Sequence, residues 1–331
     1  MRRALAVALL AIPLAGIAAG STLLASLEVF TNISRDWYFA ALSFLAVGMI
    51  LLAGRCARLA QPGRWQVFVE PFRYLGLWTP AALMPLTLGL RVVTRDTYDA
   101  LHYAMAISWF LGGLILAWGA IFYRSRSLSM LSVSALPVSV YMLQGGIFYE
   151  AGINFAWHAF GLACLTPLYL YTGYRLLAYK DDSFLSSFGR TVRRWGNVLV
   201  VVTALLSLTN LTSGTAAAAS HAVLALTMTL SAVIWQRPRS LYAASFFSFT
   251  AVTFAVTELD LALNQLGVGW VSLAIVHILL VLFLARPGAD IEKRKPFLTP
   301  LVVAAYCIAA LAILPPIFMY DGQLLSYALG N

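Results

Sequence analysis

Residues 102–123 read HYAMAISWFLGGLILAWGAIFY, a run of 22 residues without an Asp, Glu, Lys or Arg. A helix that crosses the hydrocarbon core of a bilayer needs about 20 mostly apolar residues, because its backbone polar groups must be hydrogen-bonded within the helix. The run therefore predicts a membrane-spanning helix, and the rest of the chain can be searched for the same pattern.

The composition of the whole chain agrees with a membrane environment. Of 331 residues, 61% are apolar and 11% are charged, whereas soluble domains carry roughly 45–50% apolar and about 25% charged residues. So much hydrocarbon cannot be covered by polar surface in water. Soluble globular, disordered and disulfide-stabilised classes are excluded.

Eleven apolar runs predict an all-α, polytopic integral membrane bundle, organised as a single transmembrane domain over residues 1–331 without a separate soluble domain. The runs are Leu5–Ala25, Trp37–Ala53, Tyr74–Leu90, His102–Tyr123, Met130–Tyr149, Phe155–Leu177, Val198–Leu211, Thr215–Trp235, Ala243–Thr257, Gly267–Ala285 and Leu301–Tyr320. The first run is longer than the apolar core of a signal peptide, and we expect it to stay uncleaved. The polar segment Lys180–Trp195 is long enough only for a short surface helix.

The basic residues predict the orientation of the bundle. If the N-terminus is cytoplasmic, 19 of the 22 Lys and Arg residues fall in cytoplasmic loops, and only Arg35, Arg91 and Arg95 fall outside. This is the positive-inside pattern. It predicts a multi-pass protein of the plasma (cell inner) membrane, with its C-terminus outside.

The same pattern accounts for the net charge of +9. Basic residues at the cytoplasmic surface attract anionic lipid headgroups. We therefore expect membrane lipids, and not nucleic acid, as partners, together with other membrane subunits.

A direct repeat is indicated by matching residues 113 positions apart. Arg-Ser-Leu occurs at residues 126–128 and again at 239–241, and Trp157 and Trp270 follow at the same interval. The segments 126–180 and 239–290 would then be repeated helical hairpins. The alternative is that inward-running spans generally have a tryptophan at the outer end and an arginine at the inner end.

Four histidines, His102, His158, His221 and His277, lie in the outer or middle parts of predicted spans. Two imidazoles on different helices could hold a haem, and His158 and His221 lie at the most similar depth. The simpler interpretation is that the histidines hydrogen-bond to neighbouring helices. No metal or cofactor is predicted otherwise.

Acidic residues near the predicted outer mouth complete a candidate polar cavity. Glu150, Glu258 and Asp260 share this depth with Arg91, and ionisable residues at membrane depth indicate a functional site. Glu150, Asn154 and His158 are spaced four residues apart and would lie on one face of a continuous helix. The predicted cavity comprises Arg91, His102, Glu150, Asn154, His158, His221, Glu258, Asp260 and His277. Pro80 and Pro85 mark the place where an unwound helical turn is expected.

Two functions fit these features about equally, a membrane-embedded subunit of a larger complex and a permease for a small solute. The alternatives are an enzyme that acts on a lipid-linked substrate at the outer face, with Glu150, Glu258 or Asp260 as general acid or base, and a haem-binding electron-transfer subunit. The sequence contains no phosphate-binding loop, HExxH, GxSxG or CxxC motif, which disfavours the ATPase and hydrolase classes.

Overall fold

The structure is a computed structural model that describes residues 37–58, 66–93, 99–179, 183–209, 213–259, 263–286 and 291–314. These residues form ten α-helices and no β-strand, as the all-α class predicts. The helices are α1 (Trp37–Arg58), α2 (Gln66–Val93), α3 (Asp99–Tyr123), α4 (Arg126–Glu150), α5 (Trp157–Leu177), α6 (Ser183–Thr209), α7 (Gly214–Ile234), α8 (Ser240–Glu258), α9 (Leu263–Leu284) and α10 (Ile291–Ala312).

Eight of these helices are long and apolar enough to cross a membrane, and the chain is therefore a multi-pass membrane protein. The two others are α2 and α5. The total of eleven spans stays a prediction, and so does the side of the membrane on which each terminus lies. The first predicted span, Leu5–Ala25, lies outside the described residues.

Polar residues are buried beside the apolar core, and many large apolar residues are exposed. Throughout the described ranges, the buried polar side chains are all serine, threonine or histidine, while large apolar side chains such as Leu51 and Trp78 are about two-thirds exposed, at 68% and 69%. Small hydroxylated residues allow helices to approach closely and hydrogen-bond to one another in lipid. Large apolar residues meet the hydrocarbon.

Helix α6 differs from its prediction. The sequence predicts a span over Val198–Leu211 and a separate surface helix before it, but one continuous helix runs from Ser183 to Thr209. Phe184, Phe188 and Val192 recur every four residues and are all buried. Their apolar stripe gives the basic half of α6 a face that packs, so the helix has no reason to end at the charged segment.

Two further expectations about helix boundaries are corrected. The unwound turn at Pro80 and Pro85 is not present, because α2 runs through both prolines without a break. Helix α10 begins at Ile291, ten residues before the predicted start at Leu301, since its first turns include the polar segment with Pro296 and Pro300. The residues after 314 lie outside the described part of the chain.

The helices group into two compact units. The first unit comprises the described residues up to Ile153 together with Arg175–Trp195, and the second comprises Asn154–Tyr174 and the described residues from Gly196 onward. Helices α5 and α6 each contribute residues to both units. Each unit is described below by itself.

In the first unit, α3 and α4 form the most extensive helix pair. Leu116 and Ala135 pack at its centre with Met84 and Trp109. Hydroxyl groups tie neighbouring helices together: the Oγ atoms of Ser43 and Ser108 are 2.7 Å apart, and the Trp109 indole donates to Thr87 over 2.9 Å.

In the second unit, α7 and α8 form the corresponding pair. Leu224 is fully buried among residues of α5, α6 and α8, including Leu170, Val200 and Phe247. The close approach of α5 and α6 requires Gly196, because a Cβ atom there would lie 2.8 Å from Leu170 Cδ2.

Similar turns connect the two hairpins α3–α4 and α7–α8. Arg124 and Gln236 each follow the preceding helix with a positive φ of 52°. The next N–H then donates to the carbonyl five residues back, from Ser125 to Ala120 and from Arg237 to Ala232. Such a left-handed residue satisfies the last carbonyls of a helix. The predicted repeat of segments 126–180 and 239–290 stays a prediction.

Close packing of α3 against α4 makes Gly113 sensitive to substitution. A Cβ atom at this position would lie 2.8 Å from the Cβ of Ala135, and overpacking of this kind costs roughly 1–3 kcal/mol. We expect Gly113→Ala to lower the apparent Tm of the detergent-purified protein by several degrees.

Gly48→Ala is the matched control, because a Cβ atom at Gly48, also inside a helix, would have no neighbour within 4 Å. It should leave the Tm unchanged or raise it slightly, since alanine favours the helix by about 1 kcal/mol over glycine. Equal effects of the two variants would contradict the close packing of α3 and α4.

Candidate functional site

The nine residues predicted to line a polar cavity fall into both units. His102 and Glu150 belong to the first unit, and Asn154, His158, His221, Glu258 and His277 belong to the second. Asp260 and the side chain of Arg91 lie outside the described residues. A shared cavity for all nine stays a prediction.

His221 links three helices of the second unit. From α7, its Nε2 lies 2.8 Å from the Ser207 hydroxyl on α6, and its Nδ1 is hydrogen-bonded to the Thr250 hydroxyl on α8. The imidazole is 1% exposed, and the rings of Phe247 and Phe254 meet it edge-on. A neutral imidazole has one N–H, which one hydroxyl accepts. The other hydroxyl donates to the ring only in place of its own bond to a backbone carbonyl, that of Ala204 for Ser207 or those of Phe246 and Phe247 for Thr250.

His277 makes a similar connection between α9 and α8. Its Nδ1 lies 2.9 Å from the Leu273 carbonyl oxygen, and its Nε2 lies 2.9 Å from the Ser245 hydroxyl. A carbonyl can only accept, so the proton of the neutral ring is on Nδ1 and Ser245 donates to Nε2. The ring is 5% exposed.

His158 and Asn154 organise the start of α5. The Asn154 side-chain oxygen accepts the Ala156 N–H over 2.9 Å, and His158 Nδ1 donates to the Phe155 carbonyl over 2.9 Å. These contacts satisfy polar groups where the first turn of a helix lacks intrahelical partners. The His158 side chain is 2% exposed.

The expectation that Glu150, Asn154 and His158 share one helical face is wrong. Helix α4 ends at Glu150, and α5 begins at Trp157. Gly152, with a φ of 63°, lies between them in the left-handed region that glycine adopts without strain. Glu150 itself is exposed.

Glu258 caps a helix. Its Oε2 accepts the backbone N–H of Gly214 over 2.8 Å at the start of α7. Ser213 Oγ accepts the Ala216 N–H of the same first turn. A carboxylate at a helix N-terminus is favourable, because unpaired N–H groups and the positive end of the helix dipole meet there. This contact assigns the Glu258 carboxylate a structural role.

His102 lies against the glycine pair of α4 in the first unit. A Cβ atom on Gly145 would be 2.9 Å from His102 Cδ2, and one on Gly146 would be 3.0 Å from the neighbouring Tyr103. The glycines therefore provide the space in which the imidazole and phenol rings of α3 pack. His102 is half-buried.

Helix α8 is the common partner in the second unit, and sequence reasoning missed its role. Ser245 contacts His277, Thr250 contacts His221, and Thr253 accepts from the Trp270 indole over 2.9 Å. The detectable signal was a set of hydroxyl residues at helical spacing in an apolar run. Such hydroxyl groups act as interhelical hydrogen-bonding partners in membranes.

The described side chains also bear on metal binding. Among the residues that the structure describes, no three His, Cys, Asp or Glu side chains are grouped so that they could hold a metal ion. Of the two imidazoles considered for a haem, His221 has both ring nitrogens engaged with hydroxyl groups.

No protein-family model matches the sequence, and no curated protein or solved structure is significantly similar to it. Its function must therefore be inferred from the contacts of the chain itself.

The contact between His277 and Ser245 can be measured by a double-mutant cycle. Interhelical side-chain hydrogen bonds in membrane proteins average about 0.6 kcal/mol. We expect a coupling free energy of that size between His277→Ala and Ser245→Ala, determined from reversible unfolding in mixed micelles.

Ser272 offers the matched control, because its hydroxyl donates to the Val268 carbonyl of its own helix. The cycle between His277→Ala and Ser272→Ala should give a coupling free energy near zero. Indistinguishable values in the two cycles would refute the assigned link between α8 and α9.

The capping role of Glu258 predicts a local effect on hydrogen exchange. Loss of a helix cap costs about 1 kcal/mol, equivalent to roughly fivefold in an equilibrium constant. Glu258→Ala should therefore accelerate amide exchange in the first turn of α7 by about that factor. Glu150→Ala, which removes an exposed carboxylate at the end of α4, should leave that turn unchanged. If amide exchange in the first turn of α7 is unaltered in both variants, Glu258 does not cap that helix.

Proposed function

We propose that the chain is a membrane-embedded subunit of a larger complex in the cell membrane, with its apolar helices packed against lipid and other membrane proteins. The main support is the use of the buried histidines. Both ring nitrogens of His221 and of His277 are hydrogen-bonded to serine, threonine or carbonyl partners within the second unit. Polar groups engaged in this way stabilise helix packing and leave few donors for a solute.

The surface of α9 is compatible with the same proposal. Its exposed large apolar residues cover adjoining faces of the helix, with Ile275, Leu279 and Leu282 on one side and Val276 and Phe283 next to them. Only 22% of an 18-residue apolar stretch of this helix is buried inside the protein. Such a surface is suited to lipid and to the helices of a partner alike, because membrane helices associate by packing and not by exclusion of water.

A photo-crosslinking residue in place of Leu279 tests this proposal in the cells from which the chain comes. Leu279 is 58% exposed on α9, and Leu226, 60% exposed on α7, is the matched control. We expect a discrete crosslink to another membrane protein from position 279 and none from position 226. Adducts only to lipid at both positions would contradict a partner on α9.

A permease is the second candidate, and two buried oxygen atoms favour it. Thr203 Oγ1 on α6 and Gln144 Oε1 on α4 are buried and have no hydrogen-bond partner within the described ranges. A buried oxygen without a partner is costly in protein unless water or a ligand reaches it. Thr203 also lies one helical turn before Ser207, the partner of His221.

Cysteine labelling distinguishes the two candidates. In a background without Cys56, Cys164 and Cys307, Thr203→Cys should react with a water-soluble thiol reagent if a solute pathway reaches α6. Thr166→Cys is the control, because Thr166 is equally buried at 0% exposure and donates to the Ala163 carbonyl. The subunit proposal predicts that neither position reacts.

The enzyme and haem alternatives receive less support. The Glu258 carboxylate accepts the N–H of Gly214, and His221 has hydroxyl partners at both nitrogens. A general acid or a haem ligand would need these atoms for the substrate or the iron.

A further inference from the structure

A polar cleft lies in the first unit between the start of α4 and the basic half of α6. It has a volume of about 240 Å³. Its lining residues are Arg126 and Met130 from α4 and Ser187, Arg190, Thr191 and Arg194 from α6. It is far more polar than the groove that Tyr74, Trp78 and Leu131 line in the same unit.

Three arginines line this cleft. Arg190 and Arg194 are four residues apart on α6, where like charges repel each other. Arg126 adds a third positive charge from α4. Within the described ranges, the only ion pair is between Arg73 and Glu70, so no described carboxylate neutralises the cleft.

The donors match the phosphate group in geometry as well as in charge. Guanidinium groups form paired, parallel hydrogen bonds with phosphate oxygens, which a lysine ammonium cannot do. The hydroxyl of Ser187 on the same wall is a further donor, whereas that of Thr191 donates to the Ser187 carbonyl over 3.3 Å. Three such cations, without a counter-ion among the described side chains, are better explained by a bound anion than by packing.

The surroundings favour a lipid as the source of the phosphate. Met130, which lines the cleft, is 57% exposed, and the adjacent Leu131 is 46% exposed. Leu131 also lines an apolar groove of about 370 Å³ with Leu128 of α4 and Tyr74 and Trp78 of α2. An acyl chain could lie in that groove while its headgroup occupies the arginine cleft.

We infer that Arg126, Arg190 and Arg194 bind the phosphate headgroup of an anionic phospholipid. Both segments are predicted to face the cytoplasm, the side on which anionic lipids concentrate. The inference does not depend on the proposed function, because a subunit and a permease could each carry a bound lipid.

Native mass spectrometry of the full-length protein tests the site directly. The purified protein is delipidated and incubated with phosphatidylglycerol or with phosphatidylcholine, and the bound lipid is counted. Each basic residue near a membrane surface contributes about 1 kcal/mol to anionic lipid binding. We expect the triple variant Arg126→Gln/Arg190→Gln/Arg194→Gln to bind phosphatidylglycerol at least about tenfold more weakly.

The matched control removes the same charge elsewhere. Arg55, Arg58 and Arg239 are exposed and predicted to lie on the same side of the membrane, and their triple Gln variant should retain phosphatidylglycerol. Equal losses in both triple variants would overturn the site, as would equal binding of phosphatidylcholine. If the triple variant does not fold, the single variant Arg194→Gln takes its place. An unchanged elution volume and Tm would show that this single variant is folded.

Two further experiments test for other occupants of the cleft. Inorganic phosphate that binds the wild-type cleft as tightly as the lipid would overturn the lipid as its source. Asp181→Asn/Asp182→Asn removes the two carboxylates that directly precede α6 in the sequence and lie outside the described residues. Stronger lipid binding by that variant would overturn the inference, because the chain itself would then supply the anion.

Discussion

A polar group inside the hydrocarbon layer has no water to bind, and this constraint governs the described part of the structure. Buried polar positions are confined to serine, threonine and histidine, whose few donors and acceptors can be satisfied by a neighbouring helix. Ser43 meets Ser108 in the first unit, and Ser245 meets His277 in the second. Because lipid is as apolar as leucine, helices gain little from hiding large side chains and associate through close contacts and hydrogen bonds instead.

The same constraint changes the functional meaning of the intramembrane histidines. A histidine in a membrane helix is a functional hypothesis by default, but an imidazole with both nitrogens engaged also has a sufficient structural reason to be there. His221 joins α6, α7 and α8, so its removal would leave the hydroxyls of Ser207 and Thr250 bonded only to backbone carbonyls of their own helices. Charge, in contrast, is concentrated outside the apolar stretches, as in the basic half of α6, where Arg190 and Arg194 line a cleft.

Apolar runs predicted where helices occur, because the length of a span is fixed by the thickness of the bilayer. They predicted helix ends less well where a helix extends beyond its apolar part. The basic segment that precedes Val198 belongs to α6, since Phe184, Phe188 and Val192 give it a buried stripe. The prolines also led to a wrong prediction, an unwound turn, because α2 continues through Pro80 and Pro85. Membrane helices tolerate proline when other groups satisfy the freed carbonyls.

The sequence by itself determined the class of the protein and the candidate polar residues, because hydropathy and charge are properties of single side chains. It named His221, His277 and Glu258 without indicating their partners. The partners Ser207, Ser245, Thr250 and the Gly214 N–H became known only from the tertiary structure. Distances between helices depend on how small residues pack across them, and no local pattern in one helix encodes which face of another it will meet.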